Sequence, residues 1–559
     1  MSDEAPARPA YNTLDRPCLA VVFRGDAPPE ELNALVPGAE PGSRREIGLR
    51  AALTAAHLAA DVDIPNPAVE SMFRRLLTAL AIRVGALHPL DGTGPPTREE
   101  WEDRFDALLT TGHFDTESVH AYCDRWRSRF DLYDPRRPFL QDPRLAAECS
   151  RRAPPAKLVL PRPSGANQPW LDHTPQDVPV PSAQALGWVL AWRGYGPAGT
   201  GAQRRHGGVD SKNMKAAPLR SLVSFHPLAD TLFTSLVLSC PPPTGGDGTR
   251  DDLAPWERDE WEDPLLPAPV TGPVSLLTGR TAHHVLLAPD GDGERVVGCW
   301  VAWGTRTELP AARDPFVIDR PKGGPVRASW RRSLVRDFDA FVHAKDPAAI
   351  GVTGRILPGW LPVFADLPRA VLDALPVVRV RALGCHQDKQ DRDAHWYAAT
   401  TPASIAPFLP AHHPLRAARV ATIRVAAETA ATDLAKALRS AWHRMAPGEK
   451  ACSWADEATA EFWERAEPLF WSAITEDDTP APGFRELALR IYDATTLPAA
   501  TTPEGLHPIA QARATLAHPR AGRASPRSGR ASLRNETPLR NETSPRDGAS
   551  PRSGRNRPV

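Results

Sequence analysis

The sequence predicts an α+β fold in three parts: an irregular mixed body of short sheets and helices over 1–400, a C-terminal four-helix bundle over 401–519, and a disordered basic tail over 520–559. Three observations carry this reading. Up to about residue 395, short apolar runs alternate with many prolines and glycines. Beyond 400, apolar residues recur at helical spacing. The last forty residues hold few large apolar side chains. A chain of 559 residues, 42% apolar and 24% charged, has material for several packed units at ~100–200 residues each.

In the body, Val69, Met72, Phe73, Leu76, Leu77, Leu80 and Val84 recur at i, i+3, i+4 spacing and predict a helix over 68–84. Short apolar runs bounded by turn formers predict strands at Cys18–Phe23, His284–Ala288, Val296–Ala302 and Val377–Val380. Ser182 after Pro181 can cap a helix whose Ala183, Leu186 and Leu190 share a face, and an apolar helix is expected over Leu228–Leu238. Helices are expected at Leu415–Met445, Ala455–Ser472, Phe484–Tyr492 and Leu506–Leu516; the short loops between them favour antiparallel packing. The boundary falls near Thr400–Pro414, where proline and histidine punctuate the chain.

Lys+Arg and Asp+Glu are both 67, which excludes a uniformly basic nucleic-acid binder but not a local basic surface. The charge is unevenly placed. Residues 520–559 carry ten arginines against Glu536, Glu542 and Asp547, a net of +7 that leaves the rest of the chain at −7. In that tail ASPRSGR and LRNET each occur twice, and such text buries too little apolar surface to offset its ordering entropy. No uncharged apolar stretch reaches the ~18–20 residues of a membrane span. The start, MSDEAPARPA, lacks a secretion profile. Seven cysteines without a CxxC pair fit a reducing cytoplasm and disfavour a zinc ribbon.

Signatures of catalysis are missing: there is no GxxxxGK[ST], HExxH or GxSxG, and no carboxylate pair stands out. His283–His284 and His412–His413 are adjacent pairs. That spacing sends two rings to opposite sides of a strand and suits surface or core histidines better than metal ligands. Neither a metal nor a cofactor is expected. The run GPAGTG at Gly196–Gly201 follows a helix rather than a strand and has the wrong spacing for a dinucleotide turn. It leaves a glycine loop followed by Arg204, Arg205, His206, Gly207, Gly208, Lys212 and Lys215. Two readings stand: backbone amides and cations poised for phosphate, or a solvated basic loop.

Several landmarks resemble the CasA family, the large subunit of the type I-E CRISPR surveillance complex Cascade. Tyr11-Asn-Thr-Leu-Asp15-Arg-Pro17 is similar to the family's opening, with Cys18 in place of its Trp-Ile. Phe130-Asp-Leu-Tyr133 followed by Pro138-Phe-Leu-Gln141 is similar to its FDLF…PFLQ signature, the most specific match. Asn167-Gln-Pro169, the 182–195 helix with its glycine loop, Pro218–Ser224 and Gly384–Gln390 follow in family order, so the resemblance spans about 10–520.

The resemblance implies a non-enzymatic subunit bound to guide RNA and the other Cascade subunits. Such a subunit inspects double-stranded target DNA for a protospacer-adjacent motif (PAM), helps part the strands and offers a platform to a recruited helicase–nuclease. Because guide pairing reads the sequence, the protein need inspect only a short duplex. By position, the resemblance assigns Gly196, Gly199 and Gly201 to the PAM minor groove, with Arg204, Arg205, Lys212 and Lys215 beside them. It places Arg306, within Gly304-Thr-Arg-Thr307, where the family has a PAM-contacting lysine on a β-hairpin. It assigns Gln387, Lys389 or Gln390 as the strand wedge, and Asn167 and Gln168 as guide-RNA contacts. The rival reading, from a different class, is a stand-alone hydrolase or transferase with a site assembled from dispersed residues.

Overall fold

The computed structural model describes residues 8–90, 94–161, 175, 177–243, 252–279, 281–306, 314–320, 324–329, 331–342, 357–375, 377–387, 393–449, 452–476 and 482–518. The tail expected to be disordered, 520–559, lies outside them.

The first strands form an antiparallel sheet in the order Arg44–Ile47, Leu19–Phe23, Ala59–Val62. Leu19, Val21 and Phe23 are buried while Ala20 and Val22 are half-buried, the period-two alternation of a strand with one face on the core. The helix Pro67–Val84 begins where Asn66 Oδ1 accepts from the Ala68 and Val69 amides, with Pro67 supplying a helical φ at the first position.

Every residue of that helix is buried, its charged ones included. Its charged side chains are ion-paired to other segments. Arg74 binds Asp61 at 2.7 Å, Arg75 binds Asp314 at 2.7 Å, Arg83 binds Glu257 at 2.9 Å, and Glu70 receives Arg381 at 2.7 Å. Its apolar face supplies Phe73, Leu76, Leu77 and Leu80 to the main core.

The body also holds two further three-stranded antiparallel sheets and, among the described residues, two two-stranded ones. One three-stranded sheet runs Asp393–Thr400, Arg379–Gln387, Val223–Leu228; the other runs Val180–Pro181, Arg295–Trp303, His283–Pro289. The apolar segment 228–238 is therefore divided. Val223–Leu228 is a buried strand, and only Leu232–Ser239, capped by Thr231, is helical. The helix Ser182–Tyr195 is present, but Ser182 does not cap it: its hydroxyl donates to the Gly293 carbonyl at 2.8 Å and also meets the Tyr133 hydroxyl at 2.5 Å.

From Pro414 the chain is helical: Pro414–Met445, Ser453–Thr475, Phe484–Thr496 and Pro503–Ala517. The long first helix lays Ala417, Val420, Ile423, Ala427, Ala431, Leu434, Leu438 and Ala441 against the others, a stripe at 3.6-residue period. The Tyr492 hydroxyl donates to the Ile509 carbonyl at 2.9 Å inside it. Phe338 joins bundle to body, edge-on to Trp471 with centroids 4.8 Å apart, and Arg336 meets Glu428 at 2.8 Å.

Candidate nucleic-acid interface

The glycine segment is part of a β-hairpin rather than a loop. Gly199–His206 pairs with Val209–Met214, and the two-residue turn Gly207–Gly208 has φ of +54° and +81°. Positive φ at both central positions is the geometry of a type I′ turn, which glycine adopts without strain. Thr200 pairs with Asn213 and Arg204 with Ser211, so Gly201–Gln203 bulge opposite the single residue Lys212.

The three glycines differ in role. Gly196 ends the preceding helix in a buried position, where a Cβ would come within 2.7 Å of His283 Nδ1. Gly201 lies against the next sheet, where a Cβ would come within 2.5 Å of the Val301 carbonyl oxygen. Both serve close packing, not a groove. Gly199 is exposed at φ +143°, a Cβ there would meet nothing within 4 Å, and Thr200 beside it is also exposed. The open backbone is thus the short stretch Ala198–Thr200.

Arg204, expected among the phosphate contacts, is fully buried. It donates to Asp142 Oδ2 at 2.8 Å, to Glu148 Oε2 at 2.6 Å and to the Trp303 carbonyl at 2.9 Å, and its guanidinium carbon sits 5.0 Å from the Trp303 ring centroid. His284 Nδ1 donates to the same Asp142 oxygen at 2.7 Å, and His206 bridges Glu148 and Asp263. Burial alone would raise the Asp142 carboxyl, but the hydrogen bonds from His284 and Arg144 and the charge of Arg204 hold it far below the usual carboxylate range. Asp142 therefore stays ionised, and the contacts of Arg204 with Asp142 and Glu148 lock the hairpin to the sheet.

The adjacent histidines do go to opposite sides of their strand. His283 is buried toward Trp192 with its Nε2 3.0 Å from the Pro197 carbonyl; His284 reaches the Arg204 cluster. One fixes the entry to the hairpin and the other its body. Nothing in the local sequence marks Asp142, Glu148 and Trp303 as supports of the hairpin; only their burial and partners do.

The remaining cations lie outward. Lys212 and Lys215 are exposed, and Arg205 is exposed with a 2.7 Å ion pair to Asp210. Arg306 follows the strand Arg295–Trp303, half-buried, with its guanidinium carbon 5.1 Å from the Trp303 ring centroid. The residues that follow Arg306, 307–313, lie outside the described residues. The hairpin formed by Arg379–Gln387 and Asp393–Thr400 ends at the pair Gln387–Asp393, which puts Gln387 next to its tip. Lys389 and Gln390, and likewise Asn167 and Gln168, lie outside the described residues.

Comparison with known proteins adds an independent line. A family model described as CRISPR-associated protein Cse1 matches residues 36–490. A CRISPR-associated protein CasA/Cse1 of Thermus thermophilus is 32% identical over 320 residues, 55% of this chain; the match spans 58% of that relative's length. Among solved structures, a chain of a CRISPR RNA-guided surveillance complex is 34% identical with a TM-score of 0.76, covering 91% of this chain and 99% of that one. The Cse1 crystal structure from Acidimicrobium ferrooxidans, 20% identical with a TM-score of 0.66, covers 91% of this chain and 98% of its own and shares the fold.

Proposed function

This chain belongs to the CRISPR-associated Cse1 family, and from that premise we propose that it is the large subunit of a type I-E CRISPR surveillance complex in the cytoplasm. In that role it binds target duplex at the protospacer-adjacent motif through the 199–214 hairpin and breaks no bond itself. The observation that carries this reading is the hairpin's build. An exposed, side-chain-free backbone at Gly199 stands beside exposed Lys212 and Lys215, on a base made rigid by buried Arg204. A minor groove is ~6 Å wide and offers mainly A·T-versus-G·C information, so a thin backbone edge suits it and gives tolerant recognition. The lysines hold phosphates without reading bases.

The other elements take supporting roles. The 379–400 hairpin, through Gln387, Lys389 or Gln390, parts the first base pair. Asn167 and Gln168 meet the guide RNA, and the helical bundle faces the recruited helicase–nuclease. Support for membership of an RNA-guided assembly comes from the 34% identical chain of such a complex.

The test is duplex capture by the assembled complex on targets with the motif and with a scrambled flank. Gly199→Val should bring the two affinities together while guide-RNA assembly stays intact. Lys212→Ala with Lys215→Ala should weaken both targets alike and flatten the salt dependence by about two units of log–log slope, at ~0.9 per phosphate contact. A Gly199→Val complex that keeps its full motif preference overturns the assignment.

A further inference from the structure

The strand Gly199–His206 has a neighbour on each edge. Val209–Met214 pairs with one. On the other, Cys149 bridges to Arg204, and the Ser150 amide donates to the Gln203 carbonyl at 3.1 Å. Three residues on, Ala153 and Cys299 exchange backbone hydrogen bonds of 2.7 and 3.0 Å. The segment 149–153 thus leaves the hairpin's edge and is stitched to the strand Arg295–Trp303. The open backbone at Gly199 and Thr200 belongs to the middle strand of the three.

Both neighbours bring cations. Lys212 and Lys215 are exposed on one side. On the other, Ser150–Lys157 reads SRRAPPAK, three cations and no acid. Arg152 is exposed and has a seat: a Cβ at Gly298 would come within 2.8 Å of its Nε and 2.9 Å of its Cδ, so only glycine leaves room for the stem. Lys157 is half-buried, its Nζ 5.5 Å from the Trp192 ring centroid. Burial raises the Cys299 thiol to about 12, and Lys157 and Arg152 both oppose that rise, which places the two cations around one point. Among the described residues neither side chain has a carboxylate partner. A half-buried ammonium kept without a counter-ion costs free energy that an anion would return.

The spacing suits a duplex. Neighbouring strands lie ~4.8 Å apart, so Lys212 and the segment 149–153 stand about 10 Å apart across the middle strand. A minor groove is ~6 Å wide and has a sugar–phosphate backbone along each rim. A strand edge entering it has one backbone on either side, and cations on both flanks meet both.

We propose that Arg152 and Lys157 hold one sugar–phosphate backbone of the target duplex while Lys212 and Lys215 hold the other, with Gly199 and Thr200 between them. This rests on the hairpin as the duplex-binding element and adds an opposite grip, one that fixes position without reading bases.

The test is duplex capture by the assembled complex on targets whose phosphates beside the motif are neutralised singly as methylphosphonates, one strand at a time. Neutral linkages in either strand should weaken capture by the parent. Arg152→Gln with Lys157→Gln should weaken capture with and without the motif by the same factor. It should also flatten the salt dependence by about two units of log–log slope, at ~0.9 per phosphate contact, and abolish the methylphosphonate penalty in one strand only. Lys212→Ala with Lys215→Ala should abolish it in the other. Arg490→Gln, one exposed charge lost on the bundle, should leave both penalties in place. The proposal is overturned if the Arg152 and Lys157 variant keeps both penalties, or if both double variants silence the same strand. Failure of the first variant to take up guide RNA also overturns it and assigns these cations to the RNA backbone. Penalties absent from both strands in the parent would remove the hairpin as duplex binder as well. If Gly199→Val keeps its motif preference while the strand-specific losses stand, base reading leaves Gly199 and the two-sided grip remains.

Discussion

Arg204 is the residue on which the hairpin's position turns. Cutting it back to methionine keeps the stem but strands Asp142 and Glu148, and breaking a buried pair this way costs about 3–5 kcal/mol. Arg204→Met should therefore lower the unfolding midpoint sharply, whereas Arg205→Met, whose ion pair is solvent-exposed, should change it by less than about 1 kcal/mol. Equal effects in a denaturant titration would show that Arg204 is not buried as described. Histidines supply a second residue-scale test. Burial pushes His283 and His88 down from 6.5 to about 4 and His226 well below its ordinary value. All three are neutral in the fold and protonate readily once unfolded. Their contribution is whole above about pH 6.5 and is lost as pH falls, toward 4 for His283 and His88 and further still for His226. With three protons at stake the slope approaches about 4 kcal/mol per pH unit near pH 5. Urea midpoints that hold steady from pH 7 to 5 would refute this.

At the scale of elements, legibility followed periodicity. The helices at 67–84, 182–195 and 414–445 were readable because a 3.6-residue stripe is a local property of the text. The 199–214 hairpin was not, since GTGAQRRH lacks the apolar alternation of a strand and has Thr200 as its single β-branched residue. Its strand character comes from a partner across the Gly207–Gly208 turn and from docking on the Arg295–Trp303 strand. The same limit explains the glycines. GPAGTG announces backbone freedom, but only tertiary contacts separate Gly201, which packs, from Gly199, which is open. The basic run likewise hid that Arg204 and Arg205 point opposite ways, as successive strand residues must. Gly201→Ala, driving a methyl into the Val301 carbonyl, should then cost about 1–3 kcal/mol of stability and loosen the hairpin, seen as faster amide exchange over 199–214. Exchange no faster than in the parent would mean the hairpin does not depend on that contact.

Over the whole molecule, charge is divided between a body at −7 and residues 520–559 at +7. On the proposed role, a duplex inspector has to leave wrong sites quickly, and a body of net negative charge that exposes Arg205, Lys212 and Lys215 on the hairpin limits unspecific grip. In that role the arginine-rich segment 520–559 adds the opposite tendency. Ten arginines with three acidic residues and no large apolar cluster can follow a phosphate backbone without reading it. Each phosphate neutralised contributes ~0.9 to the salt slope of duplex binding, so removing 520–559 should lower affinity for DNA with and without the motif by the same factor and flatten that slope. The ratio between the two targets should stay fixed, because reading is assigned to Gly199 and its neighbours in the body. Filter binding of the truncated complex across a salt series separates the two terms. A ratio that collapses on truncation would move recognition to the tail, whereas a common loss that shrinks with rising salt identifies the tail as a sequence-blind tether.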